Sequence, residues 1–129
     1  MTTPPSVPLV LVVEDDVDIA MLVRHVLEDA DCAVLHAHDG EQAIEISGKN
    51  RVDLVLLDMR LPQMSGEEVA AGLRQNPDAP PIVVFSASAD LATIAARIGA
   101  VAYIHKPFDL DDLADTVQRA LAGSAAQSA

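Results

Sequence analysis

The sequence predicts an α/β fold in which a doubly wound, five-stranded parallel sheet carries helices on both faces. Five short apolar runs rich in β-branched residues recur along the 129-residue chain, and segments with helical spacing lie between them. Runs without polar alternation are typical of parallel strands that are buried on both faces. Because alternating strands and helices build crossover units, the pattern indicates one domain with five strands and five helices.

The strands are predicted where aliphatic residues cluster between polar or turn-forming positions. The five segments are PLVLVV (8–13), CAVLHA (32–37), VDLVLL (52–57), PPIVVFSA (80–87) and AVAYI (100–104).

Helical spacing of apolar residues follows the first, fourth and fifth strands. The positions are Ile19, Leu22, Val23, Val26 and Leu27, then Leu91, Ile94, Ala95 and Ile98, and then Leu110, Leu113, Ala114, Val117 and Leu121. The second and third helices are predicted by their start signals. Ser65 and Glu68 have the spacing of a capping box, and Asp39 and Gln42 form a similar pair. Asp109 is expected to cap the fifth helix.

The folded domain is predicted over residues 9–122, between flexible tails at 1–8 and 123–129 that are rich in small residues and proline. The first tail lacks the basic and apolar regions of a signal peptide. No apolar run reaches the length of a membrane span, so no membrane insertion is expected. Cys32 is the single cysteine and can form no disulfide within the chain. These features favour a cytoplasmic protein.

The net charge of −12 disfavours nucleic acid as a direct partner, because the phosphate backbone would be repelled. Aromatic residues that could stack on bases are also scarce, being only Phe85, Tyr103 and Phe108.

Acidic residues follow two of the predicted strands. Glu14 and Asp15 come directly after the first strand, and Asp58 ends the apolar run of the third. Ligand sites in open parallel sheets lie beyond the carboxyl ends of the strands. If the first and third strands are neighbours, these carboxylates converge and repel one another, and a divalent cation relieves that repulsion. Hard oxygen ligands with room for water suit Mg²⁺.

The fourth and fifth strands bring a hydroxyl and an ammonium to the same edge, from Ser86 and Lys106. A metal, a nucleophilic carboxylate, a hydrogen-bond donor and a positive charge together indicate a phosphoryl-transfer site at Asp58. Rossmann and P-loop sites are disfavoured, because the turn after the first strand is acidic where those sites need glycine. A phosphatase of the haloacid dehalogenase type would have a second aspartate at position 60, where this chain has Arg60.

The motifs resemble the receiver domains of bacterial two-component response regulators, over about 9–121. The matching segments are LVLVVEDD (9–16), DLVLLDMRLPQMSG (53–66), VVFSA (83–87) and GAVAYIHKPF (99–108). The resemblance implies the flavodoxin-like strand order 2-1-3-4-5. It also implies a phosphorelay switch, which catalyses at most its own phosphoryl transfer and dephosphorylation.

The resemblance implies that Asp58 accepts a phosphoryl group from the phosphohistidine of a histidine kinase or a histidine phosphotransfer protein. Glu14 and Asp15 match the acidic pair that holds Mg²⁺ with Asp58, and the backbone carbonyl of Arg60 matches the position that completes the metal site. The family commonly has two aspartates where this chain has Glu14 and Asp15.

Three further roles are implied by the same resemblance. Ser86 matches the hydroxyl position, Lys106 the lysine, and Tyr103 the aromatic residue that turns inward as the hydroxyl moves towards the phosphate. Phosphorylation is then expected to switch the surface formed by strand 4, helix 4, strand 5 and helix 5, and so to control binding of an unidentified downstream protein. The bond between Lys106 and Pro107 is expected to be cis.

Gly99 is predicted to end the fourth helix. The interval from Ser86 to Gly99 is shorter than the family usually has. The fourth helix is therefore expected to begin late or to be the least well ordered of the five.

Simpler roles exist for several of these residues. Asp58 could cap a helix or end a solvated strand, and Glu14 and Asp15 could cap the first helix. His36 and His38 have the spacing of a metal pair, but without a further ligand they are interpreted as surface residues. The alternative function is a pseudo-receiver, an interaction module that does not depend on phosphorylation. The sequence leaves open whether the domain stands alone or belongs to a larger regulator.

Overall fold

The structure, a computed structural model, describes the backbone of residues 7–128 and the side chains of residues 7–123. The elements are β1 (Leu9–Val13), α1 (Val17–Asp29), β2 (Ala33–Ala37), α2 (Gly40–Lys49), β3 (Leu54–Asp58), α3 (Gly66–Leu73), β4 (Ile82–Ser86), α4 (Leu91–Ile98), β5 (Ala102–His105) and α5 (Leu110–Ser128). This alternation confirms the predicted five strands and five helices. Within the described residues, no helix is both long enough and apolar enough to cross a membrane.

The five strands form one parallel sheet in the order β2-β1-β3-β4-β5, which confirms the predicted topology. Every residue of β3 and β4 is buried, as continuous apolar runs in a central strand predict. The edge strands differ from the prediction of burial on both faces. In β5 only Ile104 is buried, while Tyr103 and His105 are exposed. An edge strand has one neighbouring strand, and in β5 the helices leave one face open.

The sheet separates two hydrophobic cores, because successive side chains of a strand point to opposite faces. In β1, Leu11 and Val13 belong to the core beneath α2, α3 and α4, here called the α2–α4 core. Val10 and Val12 belong to the core beneath α1 and α5, called the α1–α5 core. Helices therefore cover both faces, as the doubly wound fold requires.

Side-chain caps begin the first three helices. Ser65 and Glu68 form the predicted capping box of α3. Asp39 caps α2 through the N–H of Gln42. Asp16 is the N-cap of α1 and accepts from two backbone N–H groups.

The ends of the last two helices were predicted with different success. Gly99 ends α4 in the left-handed conformation, with φ 72°, as predicted. The α4 helix has eight residues, as many as α3, and its relative order stays a prediction.

The α5 helix continues to Ser128, beyond the predicted boundary at residue 122, because its alanine-rich end favours helix. Residues 1–6 and residue 129 lie outside the described residues, and the flexibility of both predicted tails stays a prediction. The Lys106–Pro107 bond is cis, as predicted.

Candidate functional site

The parallel register brings the ends of four strands to one edge of the sheet. Val13 pairs with Leu57, so Glu14 and Asp58 follow at the same level of the neighbouring strands β1 and β3. A carboxylate oxygen from each of Glu14, Asp15 and Asp58 lies within 4.8 Å of the other two. Glu14 and Asp58 are buried, whereas Asp15 is exposed. The convergence predicted from the strand order is therefore present.

Asp58 is the last residue of β3 and is held from two sides. Its Oδ1 accepts a 3.0 Å hydrogen bond from the backbone N–H of Arg60. Its Oδ2 accepts from Nζ of Lys106 over 3.3 Å. These two bonds fix the orientation of a carboxylate that is only 4% exposed.

Lys106 follows β5 and connects the two buried carboxylates. Its ammonium donates to Oε1 of Glu14 over 2.7 Å as well as to Asp58. Burial lowers the pKa of Lys106, but the hydrogen bond to Glu14 and the negative charge of Asp58 outweigh it and raise the pKa overall. Its Nζ also lies 4.6 Å from the centroid of the Phe85 ring. Lys106 therefore carries a fixed positive charge inside the acidic pocket.

Glu14 is fully buried, and its pKa is raised to about 8, first by that burial and then by the neighbouring Asp58. Lys106 opposes this rise but does not cancel it. Within the described part of the chain, Oε2 of Glu14 has no hydrogen-bond partner. A buried carboxylate oxygen without a partner is costly, which makes it a ready ligand for a cation.

His36 holds the backbone of Glu14 in a contact that sequence reasoning missed. Its Nε2 donates to the carbonyl oxygen of Glu14 over 2.7 Å, and its ring lies 4.4 Å from that of His38 between centroids. His36 is half-buried and bonded, a structural role that its interpretation as a surface residue did not include. The register of β1 with β2, which places His36 beside Val12, was the missing information.

The remaining candidate site residues, Ser86, Tyr103 and Arg60, differ in their exposure to solvent. Ser86 ends β4 and is buried, and its Oγ accepts from the N–H of Ser88 over 3.3 Å. Tyr103 is 45% exposed on the edge strand β5, with its ring edge-to-face with that of His105. Tyr103 belongs to neither of the two hydrophobic cores. Arg60 is exposed and lies beside Asp58, to which its backbone N–H is bonded.

The donor set of the pocket fits a hard divalent cation. Three carboxylates meet at one point, one of them exposed, and an unpartnered buried oxygen of Glu14 is among their atoms. Oxygen ligands of this kind, with access to water on one side, are those that Mg²⁺ prefers. The acidic cluster of Glu14, Asp15 and Asp58 could therefore hold a metal ion.

Comparison with known proteins agrees with the fold. The family model of the response regulator receiver domain matches residues 10–118. Sporulation initiation phosphotransferase F of Bacillus subtilis is 32% identical over 114 residues, which are 87% of this chain and 92% of that protein. Response regulator ArlR of Staphylococcus saprophyticus is 36% identical over 106 residues, 81% of this chain and 48% of that protein. The chain thus spans nearly all of one relative and about half of the other.

The solved structure of chemotaxis protein CheY4 from Vibrio cholerae superposes with a TM-score of 0.81. It is 31% identical in sequence, and the match covers 89% of this chain and 99% of that one. The family match covers most of the chain and includes every strand, apart from the first residue of β1. The chain belongs to the family of receiver domains of two-component response regulators.

Proposed function

We propose that this receiver domain is a phosphoacceptor in which Asp58 takes a phosphoryl group from a phosphohistidine. The donor would be a histidine kinase or a histidine phosphotransfer protein. The observation that carries the proposal is the fixed position of the Asp58 carboxylate, which the N–H of Arg60 and the ammonium of Lys106 hold within the acidic pocket. A carboxylate held in one orientation is prepared for attack on phosphorus.

In the transfer, an oxygen of Asp58 forms a bond to phosphorus as the bond from phosphorus to the imidazole nitrogen breaks. The leaving imidazole keeps the electron pair of that bond. Lys106 is hydrogen-bonded to the carboxylate of Asp58, where its positive charge neutralises the negative charge that develops on the phosphoryl oxygens. Ser86, at the end of the neighbouring strand, is proposed to donate its hydroxyl proton to the phosphoryl group once it is in place.

Glu14, Asp15 and Asp58, with the backbone carbonyl of Arg60, are the groups proposed to hold Mg²⁺. When bound, the ion supplies positive charge that screens the carboxylates from the incoming phosphoryl oxygens. The cluster of three carboxylates and the unpartnered oxygen of Glu14 support this assignment.

We further propose that phosphorylation switches the surface formed by β4, α4, β5 and α5, with Tyr103 as the moving aromatic residue. The exposure of Tyr103 leaves its ring free to change position. Such a protein is a signalling switch, and its output would be the binding of a downstream protein.

The proposal is tested by incubating the protein with a small phosphodonor and Mg²⁺ and measuring the intact mass. We expect one phosphoryl group to be added in the presence of Mg²⁺ and none after chelation. Asp58→Asn should take up none, because an amide cannot form an acyl phosphate. Asp53→Asn, just before the other end of β3, is the matched control and should be labelled normally. Absence of labelling in the unmodified protein would favour the pseudo-receiver instead.

A further inference from the structure

The hydroxyl of Ser86 belongs to a chain of hydrogen bonds that leaves the acidic pocket and reaches α4. The backbone N–H of Ser88 donates to Oγ of Ser86 over 3.3 Å. The backbone N–H of Asp90 donates to Oγ of Ser88, also over 3.3 Å. Because Asp90 is the N-cap residue of α4, two hydrogen bonds connect the end of β4 to the start of this helix.

The first turn of α4 depends on this chain because its own cap is incomplete. Asp16, Asp39 and Ser65 each accept a backbone N–H of the helix that they begin. Asp90 makes no such side-chain bond. An uncapped helix start leaves backbone N–H groups without an intrahelical partner and frays more easily. The hydroxyl of Ser88, which binds the N–H of Asp90, is the side chain that restrains this end.

The other end of α4 makes two polar contacts with α3 and with Arg74, the residue that ends it. Gly99 closes the helix in the left-handed conformation, and its carbonyl accepts from Nη2 of Arg74 over 3.2 Å. Arg97, in the last turn, forms a 2.9 Å ion pair with Glu67 of α3. Since these contacts restrain the end of the helix, a change in the restraint at Ser88 acts mainly on the first turn.

We propose that Ser88 is a positioning residue that couples the hydroxyl of Ser86 to the first turn of α4. Ser88 offers its N–H to Ser86 and its hydroxyl oxygen to Asp90, so movement of the Ser86 hydroxyl loosens the restraint on both. Leu91, which follows Asp90, is wholly buried in the α2–α4 core and transmits the change to the packing. The link exists in the unphosphorylated protein, and its use in signalling rests on the proposed function.

Amide hydrogen exchange in the unphosphorylated protein tests the coupling. The reporter is the N–H of Ile94, which donates to the carbonyl of Asp90 over 2.9 Å and so closes the first turn. Ser86→Ala removes the acceptor for the N–H of Ser88 and should speed exchange at Ile94 by roughly two- to tenfold, the effect of losing one net hydrogen bond. The N–H of Ala100, bonded to Ala95 at the far end, should not change.

The decisive comparison uses a second substitution at Ser88. In a Ser88→Ala background, exchange at Ile94 should already be fast, and adding Ser86→Ala should have no further effect. Ser88→Thr keeps the hydroxyl and should restore the response to Ser86→Ala. Equal acceleration by Ser86→Ala in both backgrounds would overturn the proposal, as would unchanged exchange in Ser88→Ala. Because no phosphodonor is present, failure of Asp58 labelling has no bearing on this result.

Discussion

The ammonium of Lys106 donates a 2.7 Å hydrogen bond to the carboxylate of Glu14, which lies 92 positions earlier in the chain. This contact joins the loop after β5, at one edge of the sheet, to the loop after β1 on the far side of β3 and β4. It places a positive charge among carboxylates that would otherwise repel one another. The electrostatic properties of the pocket, and the predictions below, depend on this arrangement.

Mg²⁺ should stabilise the protein, because a ligand that binds only the native state adds stability by mass action. At ten times its dissociation constant the expected gain is about 1.4 kcal/mol. Asp15→Asn should weaken the gain more than Asp16→Asn, because Asp15 belongs to the cluster and Asp16 caps α1. Melting temperatures with and without Mg²⁺ measure the effect. An equal loss in both variants would contradict the assignment of Asp15.

Asp58→Asn should leave the fold intact and make the metal-free protein at least as stable as the unmodified one. The substitution keeps the shape of the side chain and the acceptor for the N–H of Arg60, while it removes one of the crowded charges. Urea unfolding in a chelating buffer measures the difference. A clear loss of stability would mean that the ion pair with Lys106 outweighs the repulsion from Glu14.

Lys106→Met should slow phosphorylation by roughly a hundredfold or more, the usual cost of removing one group that stabilises developing charge. Binding of Mg²⁺ should persist, since the three carboxylates remain. The matched control is Lys49→Met, because Lys49 is the only other lysine and forms an exposed ion pair with Glu45. Rates of mass increase with a small phosphodonor compare the variants. A Lys106 variant that is labelled at the normal rate would exclude the proposed role.

The stability of the metal-free protein should fall as the pH rises from about 4.5 to about 8, because of Glu14. Its pKa is about 8 in the folded protein against an ordinary value of 4.5, so the folded state binds more protons across this interval. Below pH 4.5 Glu14 is protonated in both states and costs no stability. Above pH 8 it is ionised in both states, and the full cost of burying its charge reduces the free energy of unfolding. Glu14→Gln should remove this dependence. Urea unfolding at pH 5, 6.5 and 8, chosen to span that interval, should show the variant gaining most at the highest pH.

Gly66→Ala should destabilise the protein by about 1–3 kcal/mol. A Cβ at Gly66 would overlap Sδ of Met59 and would lie 3.1 Å from its Cα, in the segment directly after Asp58. Gly48→Ala is the matched control, because nothing lies within 4 Å of a Cβ there. At that helix position, alanine should raise the free energy of unfolding by about 0.5–1 kcal/mol. Chemical unfolding separates the two, and equal effects would contradict the steric explanation.

Local sequence patterns predicted the elements because each pattern has a local physical cause. The capping box of Ser65 and Glu68 and the left-handed Gly99 are set by residues within one turn of each other. Asp58 was chosen as a candidate because a charge at the end of a buried apolar strand has few structural uses, and its role stays a proposal. The α5 helix extends further than predicted because small residues were interpreted as a tail although alanine favours helix.

The features that were missed depend on which strands are neighbours. The bond from His36 to the carbonyl of Glu14 exists only because β2 pairs with β1. The exposure of Tyr103 follows from the position of β5 at the edge of the sheet. Periodicity along one segment does not show which strands are neighbours. The bond of His36 and the exposure of Tyr103 could therefore be found only from the complete sheet.

The partition of the interior by the sheet has a consequence for how such a protein diversifies. Leu91, Ala95 and Ile98 of α4 pack in the α2–α4 core, whereas α1 and α5 pack on the other side through residues such as Val23 and Leu113. Mutations that reshape α4 and its packing therefore leave the support of α1 largely unchanged. Sequence changes can therefore accumulate in one core without compensating changes in the other, so the two helical layers can diverge at different rates.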